Sequence, residues 1–150
     1  MHVVLVAPEI PPNTGSIGRL CVATGSPLHL VDPLGFVIDD KHLRRAGLDY
    51  WPHVELHRWP SWEAFTSERP PGRLLCFAAR APRPYTQVAY RSDDLLVFGG
   101  ESRGLPDAIR TAHADALYGI PIDTTHVRSL NLATAVAIVL FEGRRQLGQA

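Results

Sequence analysis

Short apolar runs recur along this chain, and a polar or proline-rich segment closes each one. Val3 to Ala7 is β-branched, short and ended by Pro8, the pattern of a buried strand. Leu28 to Val31, Val54 to Arg58, Leu74 to Ala79, Leu95 to Phe98 and Leu117 to Ile122 read as further strands. Helical segments separate them. Asn13 or Thr14 can cap a helix running to about Thr24, with Gly25 as its stop. Asp39 or Asp40 opens a short basic helix, DKHLRRAG, ending at Gly47. Ser61 caps a helix to about Glu68, and RPPG breaks it. A short helix starts near Pro106, and a long one covers about Leu130 to Leu147. RAPRPYTQVAY has two prolines and no period, so it reads as loop.

Strands alternating with helices predict an α/β domain with a mostly parallel sheet flanked by helices. At 150 residues the chain fits one domain, 1–150, with no repeat or linker. The final helix is apolar nearly all round from Leu130 to Phe141, with only Asn131 and Thr134 polar. A helix of that kind needs cover on every side, which predicts a homodimer through the C-terminal helix.

Charge narrows the function classes. Fifteen basic and fifteen acidic residues cancel, so any nucleic-acid contact must come from local patches. Arg44, Arg45, Arg144 and Arg145 are candidates. Lys41 is the only lysine, and arginine's planar fork suits phosphate. Cys21 and Cys76 are isolated, without a C-x-x-C, and read as reduced buried thiols. His53 and His57 lack a carboxylate or cysteine at ligand spacing, so no metal is expected. No signal peptide is seen, and the apolar stretch from Ala133 to Phe141 is too short to span a bilayer. The expectation is a cytoplasmic protein with no membrane contact.

Candidate chemistry lies in three polar, glycine-containing segments after apolar runs. The first is Asn13-Thr14-Gly15 with Arg19 beyond it; the second is FGGESRGLP; the third is RSLNLA. Loops after strands meet at one sheet edge, so these can converge. The first lacks G-x-G-x-x-G, and no G-x-x-x-x-G-K-[ST] exists, which removes ordinary dinucleotide and P-loop sites. Ser102 and Ser129 lack the G-x-S-x-G elbow of hydrolases. Gly99 and Gly100 permit close backbone approach. Arg128, Ser129 and Asn131 stand at a helix start, where side chains and N–H groups can hold a ligand or simply cap the helix.

NTGSIGRL, FGGESRGLP and IPI…RSLNLA resemble the three motifs of the SPOUT RNA methyltransferases, whose α/β fold carries a C-terminal trefoil knot. APEIPPNTG, DDKHLRRAGLDYW and EGRRQLG extend the resemblance over essentially the whole chain. They are similar to the tRNA (cytidine/uridine-34)-2′-O-methyltransferases, which act at the wobble ribose of leucine tRNAs. The resemblance implies S-adenosylmethionine bound bent in the knot, against Phe77, Gly99, Ile120, Ser129 and Leu130. It implies a homodimer whose sites are completed across the interface, a tRNA substrate, and no metal. Catalytic roles would fall to Arg19, Asn13, Glu101, Ser129 and Asn131.

The reaction implied is in-line attack of a ribose 2′-OH on the donor methyl, which demands alignment and the handling of one proton. In the family the Arg19 equivalent is assigned to activate the hydroxyl. A guanidinium with a pKa above about 12 accepts no proton easily. Orientation of the hydroxyl and adjacent phosphate, with stabilisation of developing alkoxide, suits Arg19 better. Asn13 and Glu101 would position Arg19 and the ribose, and Ser129 and Asn131 would order the third loop. Ala133, Gly100 and Phe141 depart from the serine, proline and tyrosine common in the subfamily. Two other functions remain open: a SPOUT 2′-O-methyltransferase acting on another tRNA or rRNA nucleotide, and a non-catalytic dimeric RNA-binding protein.

Overall fold

A computed structural model describes residues 1–39 and 49–149. The basic helix expected from Asp39 or Asp40 to Gly47, with Arg44 and Arg45, lies outside the described residues beyond Asp39. Seven strands form one sheet: β1 (His2–Val6), β2 (Leu28–Val31), β3 (Leu56–Trp59), β4 (Leu74–Phe77), β5 (Arg83–Pro84), β6 (Leu95–Gly99) and β7 (Leu117–Gly119). Their order is β3-β2-β1-β6-β4-β7-β5, and every pairing is parallel. The helices are α1 (Pro11–Thr24), α2 (Trp62–Glu68), α3 (Asp107–Ala112) and α4 (Leu132–Gln146).

The central strands β1, β4 and β6 are near-continuous apolar runs because both faces of a parallel sheet are covered, whereas the edge strands β3 and β5 carry exposed or polar residues. Alternation along β1 divides the core in two. Val3 and Leu5 join Ile17, Leu96, Val136 and Leu140 on the side of α1 and α4. Val4 and Val6 join Phe65, Val97, Leu105 and Ile109 on the side of α2 and α3. Cys21 and Cys76 are free and buried, and burial pushes both thiols up to about 12.

Several sequence expectations hold. Gly25 ends α1 at φ 62, and Ser61 caps α2 by accepting from the Ala64 N–H. Others need correction. Neither Asn13 nor Thr14 caps α1: the helix starts at Pro11, after an extended Ile10 with no side-chain cap. Proline at the first helical positions lacks only an N–H that has no helical partner there. The Asn13 side chain is thereby free for tertiary bonds. The segment read as loop after β4 holds the two-residue strand β5 and a turn at Tyr85–Gln87. Strand β7 ends at Gly119 rather than Ile122.

The last helix begins at Leu132, with Asn131 as its cap. It is not buried on every side within this chain. Leu132, Val136, Val139, Leu140 and Gly143 are buried, whereas Phe141 is 47% exposed.

Candidate functional site

The order of strands reverses between β1 and β6, where ligands of open α/β sheets bind at the carboxyl ends. The segments after β1, β4, β6 and β7 meet there around one cavity of about 800 Å³. Phe77, Gly99, Ile120, Ser129 and Leu130 all line it, as do Asn13, Glu101 and Asn131. Eight of the nine expected residues therefore come together; Arg19 is absent from the lining.

Glu101 ties the second segment to the first. Its Oε2 accepts from the Glu9 N–H at 2.7 Å, and its Oε1 from the Ile10 N–H and Asn13 Nδ2, each at 3.1 Å. These N–H groups lead into α1, where helical carbonyls cannot serve them. Asn13 then passes the connection on: its Oδ1 accepts from Asn131 Nδ2 at 2.9 Å. Asn131 Oδ1 in turn accepts from the Ala133 and Thr134 N–H groups at 2.9 and 3.3 Å, capping α4. One line of bonds thus joins all three segments. Asn13 is only 9% exposed, so its amide is held away from competing water.

The sequence reading passed over Glu9, which completes a reciprocal clamp. Its carboxylate accepts from the Ser102 hydroxyl at 2.7 and 2.8 Å and from the Ser102 N–H at 3.1 Å. Those bonds to Ser102 hold the Glu9 carboxyl below its usual range. Gly100 makes the clamp possible, since a Cβ there would meet the Ala7 carbonyl oxygen at 2.5 Å and Glu9 Oε1 at 2.7 Å. Gly99 is equally constrained: a Cβ would sit 2.0 Å from the Gly104 carbonyl carbon. The signal was present in Ala7-Pro8-Glu9, but nothing in its spacing marks a partner 93 residues away.

Arg19 occupies a different place. It is exposed on α1, with its guanidinium 4.9 Å from the centre of the Tyr50 ring. The Tyr50 hydroxyl donates to the Gly15 carbonyl at 2.6 Å. Beside it Trp51 packs on Gly18, where a Cβ would lie 2.6 Å from the indole. The glycines of the first segment therefore open one face of α1 to Tyr50 and Trp51, and that contact aims Arg19. Burial raises the Tyr50 phenol, opposed in part by the Arg19 charge, so Tyr50 stays protonated at neutral pH.

The cavity suits an adenosyl group in its chemistry. Phe77, Ile120 and Leu130 give apolar walls, and the Phe77 ring stacks on Phe98 at 5.0 Å. The Gly99–Gly100 and Gly119 backbones, where any Cβ would clash, bring main-chain polar groups close to the cavity. Among the described residues, no cluster of histidine, cysteine or carboxylate could hold a metal ion, and no helix is long and apolar enough to cross a membrane.

Arg144 and Arg145 are both engaged within the chain. Arg144 donates to the carbonyls of Thr24 and Gln149, at 3.1 and 2.8 Å. Arg145 forms a forked pair with Glu142 at 2.8 and 2.9 Å.

Known proteins resemble this chain in sequence and fold. The SpoU rRNA Methylase family model matches residues 1–141. A tRNA (cytidine(34)-2′-O)-methyltransferase of Aeromonas hydrophila is 46% identical, over 100% of this chain and 96% of its own. A solved structure described as giving structural insights into the 2-OH methylation of C/U34 on tRNA superposes with a TM-score of 0.89. It is 44% identical, with 98% of this chain and 90% of that one covered. The SpoU methyltransferase AviRb from Streptomyces viridochromogenes, solved in complex with AdoMet, superposes with a TM-score of 0.80 at 27% identity. That likeness covers 100% of this chain and 61% of AviRb. The all-parallel sheet and its flanking helices are those of the SPOUT methyltransferases, and the chain belongs to the SpoU methylase family.

Proposed function

We propose that this chain methylates the ribose 2′-hydroxyl of the wobble nucleotide, cytidine or modified uridine at position 34, of leucine tRNAs. S-adenosylmethionine is the donor, without a metal. The enzyme works in the cytoplasm as a homodimer, with its C-terminal segment threaded as a trefoil knot. The observation that carries this reading is the bonded line from Glu101 through Asn13 to Asn131, which fixes three separate segments around one cavity.

When bound, the donor supplies an electrophilic methyl group on a sulfonium. Phe77, Ile120 and Leu130 hold its apolar parts and exclude water, and the Gly99 loop and Ser129 meet its polar atoms. Glu101 and Asn13 act as positioning residues, because their polar atoms already serve the loop. Arg19 stands outside the cavity of its own chain and orients the ribose hydroxyl in the cavity of a partner subunit. The half-open face of α4 around Phe141, with Ile10 45% exposed, supports a second copy there.

Mass mapping of 2′-O-methylated nucleotides, in tRNA and rRNA from cells with and without this chain, tests the reading. Loss of the methyl at position 34 is expected. An unmethylated wobble ribose in both samples removes it, and a methyl lost from rRNA instead favours the ribosomal alternative. Arg19→Ala abolishes methylation while leaving cofactor affinity intact. Arg19→Lys keeps the charge, loses the fork and turns over poorly; near-normal turnover rules out positioning by a bidentate guanidinium.

A further inference from the structure

We propose that Arg80, Arg103 and Arg128, set around the mouth of the cavity, bind the phosphates of the RNA backbone flanking the target ribose. This rests on the reading of the chain as a ribose methyltransferase. Across the whole chain basic and acidic residues balance at fifteen each, so no net field draws RNA to it. The cavity wall breaks that balance: its charged side chains are Glu101 and four arginines, Arg80, Arg103, Arg110 and Arg128. The Glu101 carboxylate is turned onto the loop N–H groups and Asn13. Arg110 has the Asp107 carboxylate 3.8 Å away.

The other three are exposed, and among the described residues none of them donates a hydrogen bond or joins a salt bridge. Arg103 feels the Glu9 carboxylate only at longer range, and Glu9 is already held by Ser102. Three unpaired forks around one opening match the oxygens of a polyanion. They also exceed what the single carboxylate of an amino-acid donor can use.

Backbone strain marks one of them. Arg80 has φ 60, a conformation that glycine adopts freely and a side-chain-bearing residue adopts rarely. Strain of this kind persists where a surrounding structure enforces it, often at a functional site. It lies just beyond β4, on the cavity rim. Arg144 and Arg145, by contrast, are engaged within the chain.

The test uses the full chain and an unmodified leucine tRNA transcript with cytidine at position 34. Arg80→Gln, Arg103→Gln and Arg128→Gln are made singly and together, with Arg58→Gln, an exposed arginine of edge strand β3 away from the cavity, as the control. Each single change is expected to weaken tRNA binding about three- to tenfold. The triple variant should lower the slope of log K against log salt by about two, at roughly 0.7 per single-strand phosphate. Its S-adenosylmethionine affinity and the control's tRNA affinity stay at the parent level. Unchanged tRNA affinity in all three single variants overturns the inference, as does loss of cofactor affinity in place of tRNA affinity. If the parent methylates position 34 while the variants bind normally, only the rim assignment fails. A parent that neither binds the transcript nor methylates it removes the rim and the proposed function together.

Discussion

Asn131 donates to Asn13 across 118 positions of sequence, at 2.9 Å, while its own oxygen caps α4. One amide therefore starts a helix and locks the third segment to the first. Its two ends can be separated by mutation. Asn131→Ala loses the cap as well as the link, and should destabilise the fold by about 1–2 kcal/mol in thermal or urea unfolding. Asn131→Asp keeps an oxygen for the cap but has no N–H for Asn13. Its melting temperature should fall less than that of Asn131→Ala, with methylation reduced comparably in both. Full activity in Asn131→Asp would show that the link has no part in the site.

Glu101→Gln replaces one carboxylate oxygen by an amide donor facing N–H groups of Glu9, Ile10 or Asn13. An N–H group of the loop or of Asn13 then loses its acceptor. The expected loss is roughly 1–3 kcal/mol of stability, read from denaturant midpoints. Methylation should fall further than cofactor affinity, because the turn at Glu9 and Ile10 that leads into α1 and Asn13 loosens.

Gly99→Ala tests the closeness of the second segment. The added carbon would sit 2.0 Å from the Gly104 carbonyl carbon and 2.1 Å from the Leu105 nitrogen, both backbone atoms that cannot rotate away. A loss of about 3 kcal/mol or more is expected, with S-adenosylmethionine binding abolished in calorimetry.

Tyr50→Leu removes the ring beneath Arg19. A cation–π contact of this exposure contributes about 1 kcal/mol, so turnover should drop near fivefold with cofactor affinity unchanged. Tyr50→Phe keeps the ring and loses only the bond to Gly15, so it should recover most of the turnover. In an Arg19→Lys background, which still turns over, Tyr50→Leu should cost less than its roughly fivefold loss in the parent. An equal loss in both backgrounds would mean that Tyr50 acts independently of Arg19.

Acid should destabilise the fold through His29. Its Nδ1 accepts from the Trp59 indole N–H at 3.1 Å, and its Nε2 meets His2 Nδ1 at 3.0 Å. Burial, with His57 and His2 nearby, pushes its pKa from 6.5 down to about 3. The unfolded chain therefore binds the His29 proton more readily than the folded chain does. Stability from this group is complete above pH 6.5 and declines as pH falls toward 3. His29→Gln keeps an acceptor for Trp59 and should flatten that decline in unfolding titrations. An unaltered slope would assign the acid sensitivity elsewhere.

The sequence by itself determined the parallel sheet, since strand-like runs alternate with helical segments, and a helix between two strands carries the chain back to start the next one in the same direction. It also marked the motif residues: glycines at unusual density, amides and carboxylates between apolar runs. It could not determine which polar groups pair. Asn13 reads as a cap because that is the local use of an asparagine at a helix start. Only the packed chain shows Pro11 starting the helix and Asn13 bonded to Glu101 and Asn131.

Tertiary structure alone decided the rest, because the partners are far apart in sequence. Glu9 meets Ser102 at a separation of 93 residues, and Arg19 meets the Tyr50 ring instead of the cavity. Hydrophobic periodicity is a local signal, whereas the direction of a side chain on a folded helix depends on which face the core has taken. The core took Asn13, Ile17 and Cys21, and that rotation left Arg19 outside.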